Sequence, residues 1–370
     1  MNYLYLLLVA VPLAVIARYS GWSYVVQFVV AAIGIVPLAG LIGEGTEHLA
    51  VKTGPKLGGL LNATLGNAAE LIITVFAIRA GLLELVKASI TGSILGNLLL
   101  VLGASILFGG LKNGRQSFHR TQASVNATML ILAVIALVIP SVFSVTIAAT
   151  TGGDTHTHLG PLSNAMGLVN PDVEALSLGV ATVMMLIYGL AVWYSFGSHG
   201  DGPLTRPAAH LPATAGWSVR KSLLVLVCAT ACIAWLSEIL VAAVEPVVEG
   251  LGWTEFFLGI IVIPLVGNVA EHLVGVQVAL KNQMDLSVEI SVGSSLQIAL
   301  FVAPALVFIS LLMGNPLTLV FNQFELIALV SASLIAALVA LDGESNWLEG
   351  AQLLVVYVIV ALAFFFLPVG

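Results

Sequence analysis

Two glutamates stand inside long apolar stretches. Each follows an asparagine by three residues and a glycine by four, in Gly66-Asn67-Ala68-Ala69-Glu70 and Gly267-Asn268-Val269-Ala270-Glu271. An ionised carboxylate at the centre of a membrane costs about 2.5–3.5 kcal/mol on insertion scales. Two of them must therefore face each other, a cavity or a cation. An asparagine three positions before a glutamate shares its helix face, so Asn67 and Asn268 can set an amide oxygen beside each carboxylate. Gly66 and Gly267 leave room for another helix or for inward-turned carbonyls, and Pro264 frees a carbonyl one turn before the second copy. An all-oxygen, partly carboxylate cage suits a hard cation, and a flexible one suits Ca2+ over Mg2+. The helix after each copy adds Ser93 with Asn97 and Ser294 with Gln297, the Asn97–Gln297 match being one place out of register. His272 has no counterpart, and its type leaves three roles open: proton relay, backbone hydrogen bonding or company for the cation. Glu44, Glu47, Glu238 and Glu245 form a second tier, of which Glu44 and Glu245 could line an ion path or carry protons.

The elements that position these residues are membrane helices. The chain has 370 residues, 59% apolar and 8% charged, with a mean hydropathy of +1.08. A soluble domain carries about 25% charged residues, so a soluble enzyme, a disordered chain and a fibrous protein are excluded. Lys plus Arg number 12 against 19 acidic residues, and with no basic stretch a nucleic-acid partner is excluded too. About 20 apolar residues cross the hydrocarbon core. That ruler yields eleven spans, near 3–18, 22–48, 57–79, 83–109, 119–142, 172–196, 219–246, 254–280, 285–313, 319–341 and 346–368. Their unbroken length argues against a β-barrel. Cys228 and Cys232, one turn apart, read as small apolar side chains.

A shift of 201 residues aligns 66–100 with 267–301 without a gap and with ten identities in 35 positions. The Gly-Asn-x-Ala-Glu and Gly-Ser-x-Leu matches carry the weight, because polar residues are scarce here. The same shift pairs Glu44 with Glu245. Five spans separate the copies, so they run in opposite directions across the membrane. This is the inverted-repeat plan of secondary transporters, whose ion sites lie near the midplane. The expected organisation is an extra N-terminal helix (1–20), a first five-helix repeat (21–196), a cytoplasmic linker (197–217) and a second five-helix repeat (218–370).

Basic residues orient the bundle. With the N-terminus cytoplasmic, Lys52, Lys56, Lys112, Arg115, Arg120, Arg206, Arg220, Lys221 and Lys281 fall on that side, and Arg18, Arg79 and Lys87 on the other. The C-terminus is then outside. Residues 144–171, with His156 and His158, read as an outer loop whose histidines are solvated. The unmodified start suggests a prokaryotic inner membrane.

The run Asn62-Ala63-Thr64-Leu65-Gly66-Asn67-Ala68-Ala69-Glu70-Leu71-Ile72 and its partner Gly267-Asn268-Val269-Ala270-Glu271-His272 resemble the paired repeats of the calcium/proton exchanger family. Gly92-Ser93-Ile94-Leu95-Gly96-Asn97-Leu98 and Gly293-Ser294-Ser295-Leu296-Gln297 resemble that family's following helices. The resemblance runs from about residue 5 to the end. It implies an all-α integral membrane fold of eleven helices, an extra helix plus two inverted five-helix halves, exchanging cytosolic Ca2+ for protons. It implies cation binding by Glu70 and Glu271, with Asn67, Asn268, Asn97 and Gln297 lining the site and His272 beside it, and Glu44 and Glu245 on neighbouring gating helices. The chain departs from the family in its linker, which holds only Asp201 where many relatives carry an acidic cluster. Sodium-coupled relatives usually place a proline before the repeat glutamate. Ala69 and Ala270 stand there, favouring proton coupling.

Two facing carboxylates cannot both stay ionised without compensation, so two protons or one Ca2+ would neutralise them. The partners expected are Ca2+, protons and the bilayer, with no cofactor and no enzymatic activity; a homo-oligomer is left open. A sodium-coupled or Mn2+-preferring exchanger shares these ligands. An intramembrane metalloenzyme would want an HExxH pattern, which is absent, and paired compensating carboxylates suit alternating access better than a channel.

Overall fold

The computed structural model describes residues 4–53, 61, 64–150, 170–197 and 216–367. Lys56, Asn62, Ala63, His156, His158, Asp201, Arg206 and the C-terminal Gly370 lie outside them. We number the helices α1 (Leu4–Tyr19), α2 (Tyr24–Thr53), α3 (Ala68–Arg79), α4 (Leu83–Asn113), α5 (Arg120–Thr150), α6 (Pro171–Gly197), α7 (Val219–Ala242), α8 (Val244–Leu251), α9 (Glu255–Leu280), α10 (Met284–Leu312), α11 (Gln323–Asp342) and α12 (Trp347–Phe366). Among the described residues nine helices are long and apolar enough to cross a membrane; α1 is a shorter apolar helix and α3 has 12 residues. The chain is an integral membrane protein.

Four features depart from the sequence reading. The span expected at 57–79 is interrupted: Gly66 and Asn67 form a turn, and α3 starts at Ala68. Asn67 is therefore the residue before the helix, its carbonyl accepting the first bond from Leu71 N at 3.0 Å, whereas Asn268 lies within α9. The span expected at 219–246 breaks at Ala243, and Pro246 supplies the reason. It has no N–H to continue α7 and its ring crowds the carbonyl four residues back. Residues 144–150, read as loop, continue α5. Finally, α4, α9 and α10 each contain a π-helical turn, at Gly96–Val101, Leu258–Val262 and Ile298–Val302.

Helix starts follow ordinary capping chemistry. Asn322 and Glu325 close a capping box on α11, and Asn346 and Glu349 do so on α12, each satisfying donors that the first turn leaves bare. Loops gather at two ends. At one end Asn113 and Gln116 donate to Ala279 O at 3.1 and 2.9 Å. There too the strands β1 (Gln116–Ser117) and β2 (Glu344–Ser345) pair antiparallel, Gln116 opposite Ser345. At the other end Asn315 donates to Ile78 O at 2.9 Å and Thr254 to Phe364 O at 3.4 Å. This grouping is the one that alternating spans require.

Within the bundle α4 and α10 are the most buried spans and α12 the least. α4 runs against the π turn of α9 so closely that a Cβ on Gly92 would lie 2.1 Å from Ile260 O. α2 packs along α7, and α1 lies against both.

Candidate functional site

Four helix segments converge at the centre: the start of α3 and the middles of α4, α9 and α10. Glu70, buried to 3% exposure, is held from both halves of the chain. Ser93 Oγ of α4 donates to its Oε1 in a short hydrogen bond, and Asn268 Nδ2 of α9 donates to the same oxygen at 2.6 Å. Glu271 is less buried and accepts from Ser294 Oγ at 2.9 Å. The Ser93–Glu70 and Ser294–Glu271 bonds span the same sequence interval, and the 201-residue offset carries one onto the other.

The amides cross between halves. Asn67 Nδ2 donates to Gln297 Oε1 at 3.0 Å, and Ser294 Oγ reaches Asn67 Oδ1 at 3.4 Å. The helices after each copy touch at equivalent residues, Ser295 Oγ donating to Ile94 O at 3.5 Å. The π turns of α4 and α10 follow at corresponding places, ending at Val101 and Val302. A π turn widens a helix and frequently marks a functional site. Here it carries Asn97 and begins directly after Gln297.

Glu70 Oε2, Asn268 Oδ1, Asn97 Nδ2 and His272 Nε2 are buried without a hydrogen-bond partner among the described residues. Buried polar atoms are normally satisfied. An unpartnered carboxylate oxygen and amide oxygen in one cluster are acceptors suited to a proton or a cation. Among the described residues no three His, Cys, Asp or Glu side chains converge as metal ligands. The set is two carboxylates with amides and hydroxyls, all of them oxygen-bearing groups of the kind that bind hard cations.

Gly267 provides clearance. A Cβ there would lie 2.9 Å from Glu70 Cγ, inside contact distance for carbon atoms. Gly267→Ala should push Glu70 off Asn268 and Ser93; if Glu70 serves the chain's activity, that activity should fall markedly, with thermal stability changing less. A purified variant in which Glu70 keeps its bonds to Asn268 and Ser93 would contradict this.

The second tier is dispersed. Tyr5 of α1 donates a short hydrogen bond to Glu44 Oε2 on α2, and Glu47 is part-buried on the same helix. Glu238 and Glu245 are exposed, Glu245 on the short α8 beyond the break at Ala243. Cys228 and Cys232 are free thiols. The sequence reading missed Lys87, Thr91 and Glu325, which form a separate buried polar group. The signal was there in Glu84-x-x-Lys87, an i,i+3 pair inside an apolar run, and in Glu325 three residues after Asn322.

Comparison with known proteins bears on this geometry. The family described as sodium/calcium exchanger protein matches residues 23–197 and 221–366. The Ca(2+)/H(+) antiporter ChaA of Bacillus subtilis is 44% identical, covering 99% of this chain and 100% of that one. The Ca(2+)/H(+) antiporter of Aphanothece halophytica is 42% identical, covering 98% and 96%. The solved structure of native YfkE superposes with a TM-score of 0.81 at 42% identity, covering 98% of this chain and 99% of that one. The H+/Ca2+ exchanger CAX shares the fold, with a TM-score of 0.70 at 16% identity, 98% of this chain and 91% of that one being covered. The chain thus belongs to the sodium/calcium exchanger family.

Proposed function

We propose that the chain is an antiporter that exports cytosolic Ca2+ in exchange for protons, with Glu70 and Glu271 as the group that both ions compete for. The observation that carries this reading is a pair of carboxylates contributed by two halves of the chain, Glu70 buried and Glu271 part-buried. One of them is fastened by a donor from the opposite half and keeps an unpartnered oxygen. Relatives at 42–44% identity that are named Ca(2+)/H(+) antiporters supply the ion pair.

In this reading Asn67, Asn268, Asn97 and Gln297 line the site with Ser93 and Ser294, and His272 stands beside it. When protons occupy the carboxylates, serine and asparagine donors hold them. When Ca2+ displaces the protons, the amides can turn oxygens inward. The doubly charged empty pair is the state least able to cross the membrane, because like charges in a low-dielectric site repel. Coupling follows from that penalty. The organisation is the extra helix 1–20, two inverted repeats at 21–196 and 218–370, and the linker 197–217. The matched Ser–Glu bonds and the Ser295–Ile94 contact support it. The N-terminus would face the cytosol and the C-terminus the outside, and Glu44 and Glu245 would sit on the helices that gate access. The residues ask for no cofactor and no catalytic role.

The test is Ca2+ flux into proteoliposomes under an imposed pH gradient, with a matched Na+ gradient as control. Uptake driven by protons alone is expected. Uptake requiring Na+ would replace the coupling ion, and Mn2+ moving in preference to Ca2+ would replace the substrate. No movement under either gradient would overturn the assignment.

A further inference from the structure

A second charged group is buried in the bundle, toward the end opposite β1 and β2. Lys87 and Glu84 on α4 form an ion pair at 2.5 Å with side chains only 6% and 12% exposed. From α11, Glu325 is fully buried. Its Oε1 accepts from Thr91 Oγ1 at 3.0 Å and its Oε2 from Asn322 N at 2.8 Å. Lys87 and Thr91, four residues apart, share a face of α4, which sets the ion pair one helical turn from the Thr91–Glu325 bond. One further carboxylate stands near the group: Glu255, part-buried at the start of α9, interacts with Glu84, and on its other side with the exposed Glu245 of α8.

Ionisable groups inside a membrane are costly and are functional by default, and an ion pair alone would be better replaced by apolar packing. Here the charges do not balance. One ammonium stands against two carboxylates, Glu325 fully buried and Glu84 12% exposed, so the trio carries one net negative charge until a proton joins it. The donors around Glu325 can serve both states. A threonine hydroxyl donates to an ionised carboxylate. It can equally accept from a protonated one while turning its own hydrogen to the carbonyl four residues earlier. Thr91 is thus a reversible partner, and Asn322 N–H holds the second oxygen in place.

We propose that Glu84, Lys87 and Glu325 form a proton-binding site separate from the Glu70–Glu271 cluster, with Glu325 taking up and releasing the proton and Thr91 following it. The trio passes between one negative charge and none, and no cation is needed for the step. Its consequence for transport, a dependence on the pH at this end of the bundle, rests on the proton-coupled reading above. The site itself does not.

The test is therefore made first without transport, by pH-difference infrared spectroscopy of the purified full chain, reading the carbonyl stretch of protonated carboxyl groups. A titrating band should vanish in Glu325→Gln, shift in frequency in Thr91→Val and persist in the double variant Glu70→Gln/Glu271→Gln. In Lys87→Met, where the compensating charge is gone, the band's midpoint should move to higher pH by about 1–3 units. Wild-type bands in both Glu325→Gln and Thr91→Val would overturn the proposal. If Glu325→Gln does not fold, Thr91→Val alone decides, since it keeps the carboxylate and changes only its partner. In proteoliposomes Glu325→Gln should keep exchange and flatten its dependence on pH at one face. A titrating Glu325 band in a protein that moves no protons would sink the antiporter reading and leave the site standing.

Discussion

Glu70→Gln and Glu271→Gln should each abolish Ca2+/proton exchange while the helix bundle still assembles. The geometry at Glu70 says why folding survives. Its Oε1 takes both hydrogen bonds, from Ser93 and Asn268, and its Oε2 takes none. A glutamine can place its carbonyl oxygen where Oε1 was, keep both donors, and set its amide nitrogen at the unpartnered position. What is lost is the charge and the exchangeable proton. Two unit charges 4 Å apart interact by about 4 kcal/mol at an effective dielectric constant of about 20. Removing one carboxylate from a two-carboxylate site should then weaken cation binding by roughly 100- to 1,000-fold. Calorimetric Ca2+ titration of each purified variant, with a thermal melt beside it, checks both halves of the claim. A variant that melts like the parent and still exchanges would take that glutamate out of the site.

The largest loss of stability is expected at Gly92. An added Cβ would fall 2.1 Å from Ile260 O and 2.5 Å from Ile260 Cα. Both are backbone atoms, so no rotamer relieves the clash and α4 must move away from the π turn of α9. Overpacking typically costs about 1–3 kcal/mol and sometimes more. Gly92→Ala belongs at the upper end, because the displaced helix also carries Ser93 and Asn97. Gly179→Ala on α6 is the control. Nothing lies within 4 Å of its added carbon, and alanine favours a helix by about 1 kcal/mol over glycine. Melting temperatures of the two purified proteins should move in opposite directions. An unshifted Gly92→Ala would mean that α4 and α9 are less tightly apposed.

The sequence made some of this plain because membranes leave few options. Apolar runs long enough to cross located nine of the eleven expected spans among the described residues, and the scarcity of polar residues made the two Gly-Asn-x-x-Glu copies stand out. Spacing could not show which side chains meet. Asn67 precedes Glu70 by three residues, yet it turns to Gln297 and Ser294, while Glu70 is bonded by Asn268 instead. A helix-face argument assumes that the helix is continuous, and Gly66-Asn67 forms a turn. The break at Ala243 could have been foreseen from Pro246. The π turns could not, since an extra residue in a helix leaves no signature in composition. Lys87 misled because a lysine near a span end reads as a loop charge. The i,i+3 partner Glu84 was visible, but only the packing shows that Lys87 is buried with it.

The hydrogen bonds that cross between the halves also bear on how such a protein can change over generations. Glu70 depends on Asn268, and Asn67 on Gln297. On the function proposed above, neither half then owns a binding pocket that selection could adjust on its own. A substitution that alters cation preference in one half meets the unaltered partner of the other at once. On that reading, drift toward a new ion would need paired changes, one in each half, since each copy is part of the other's environment.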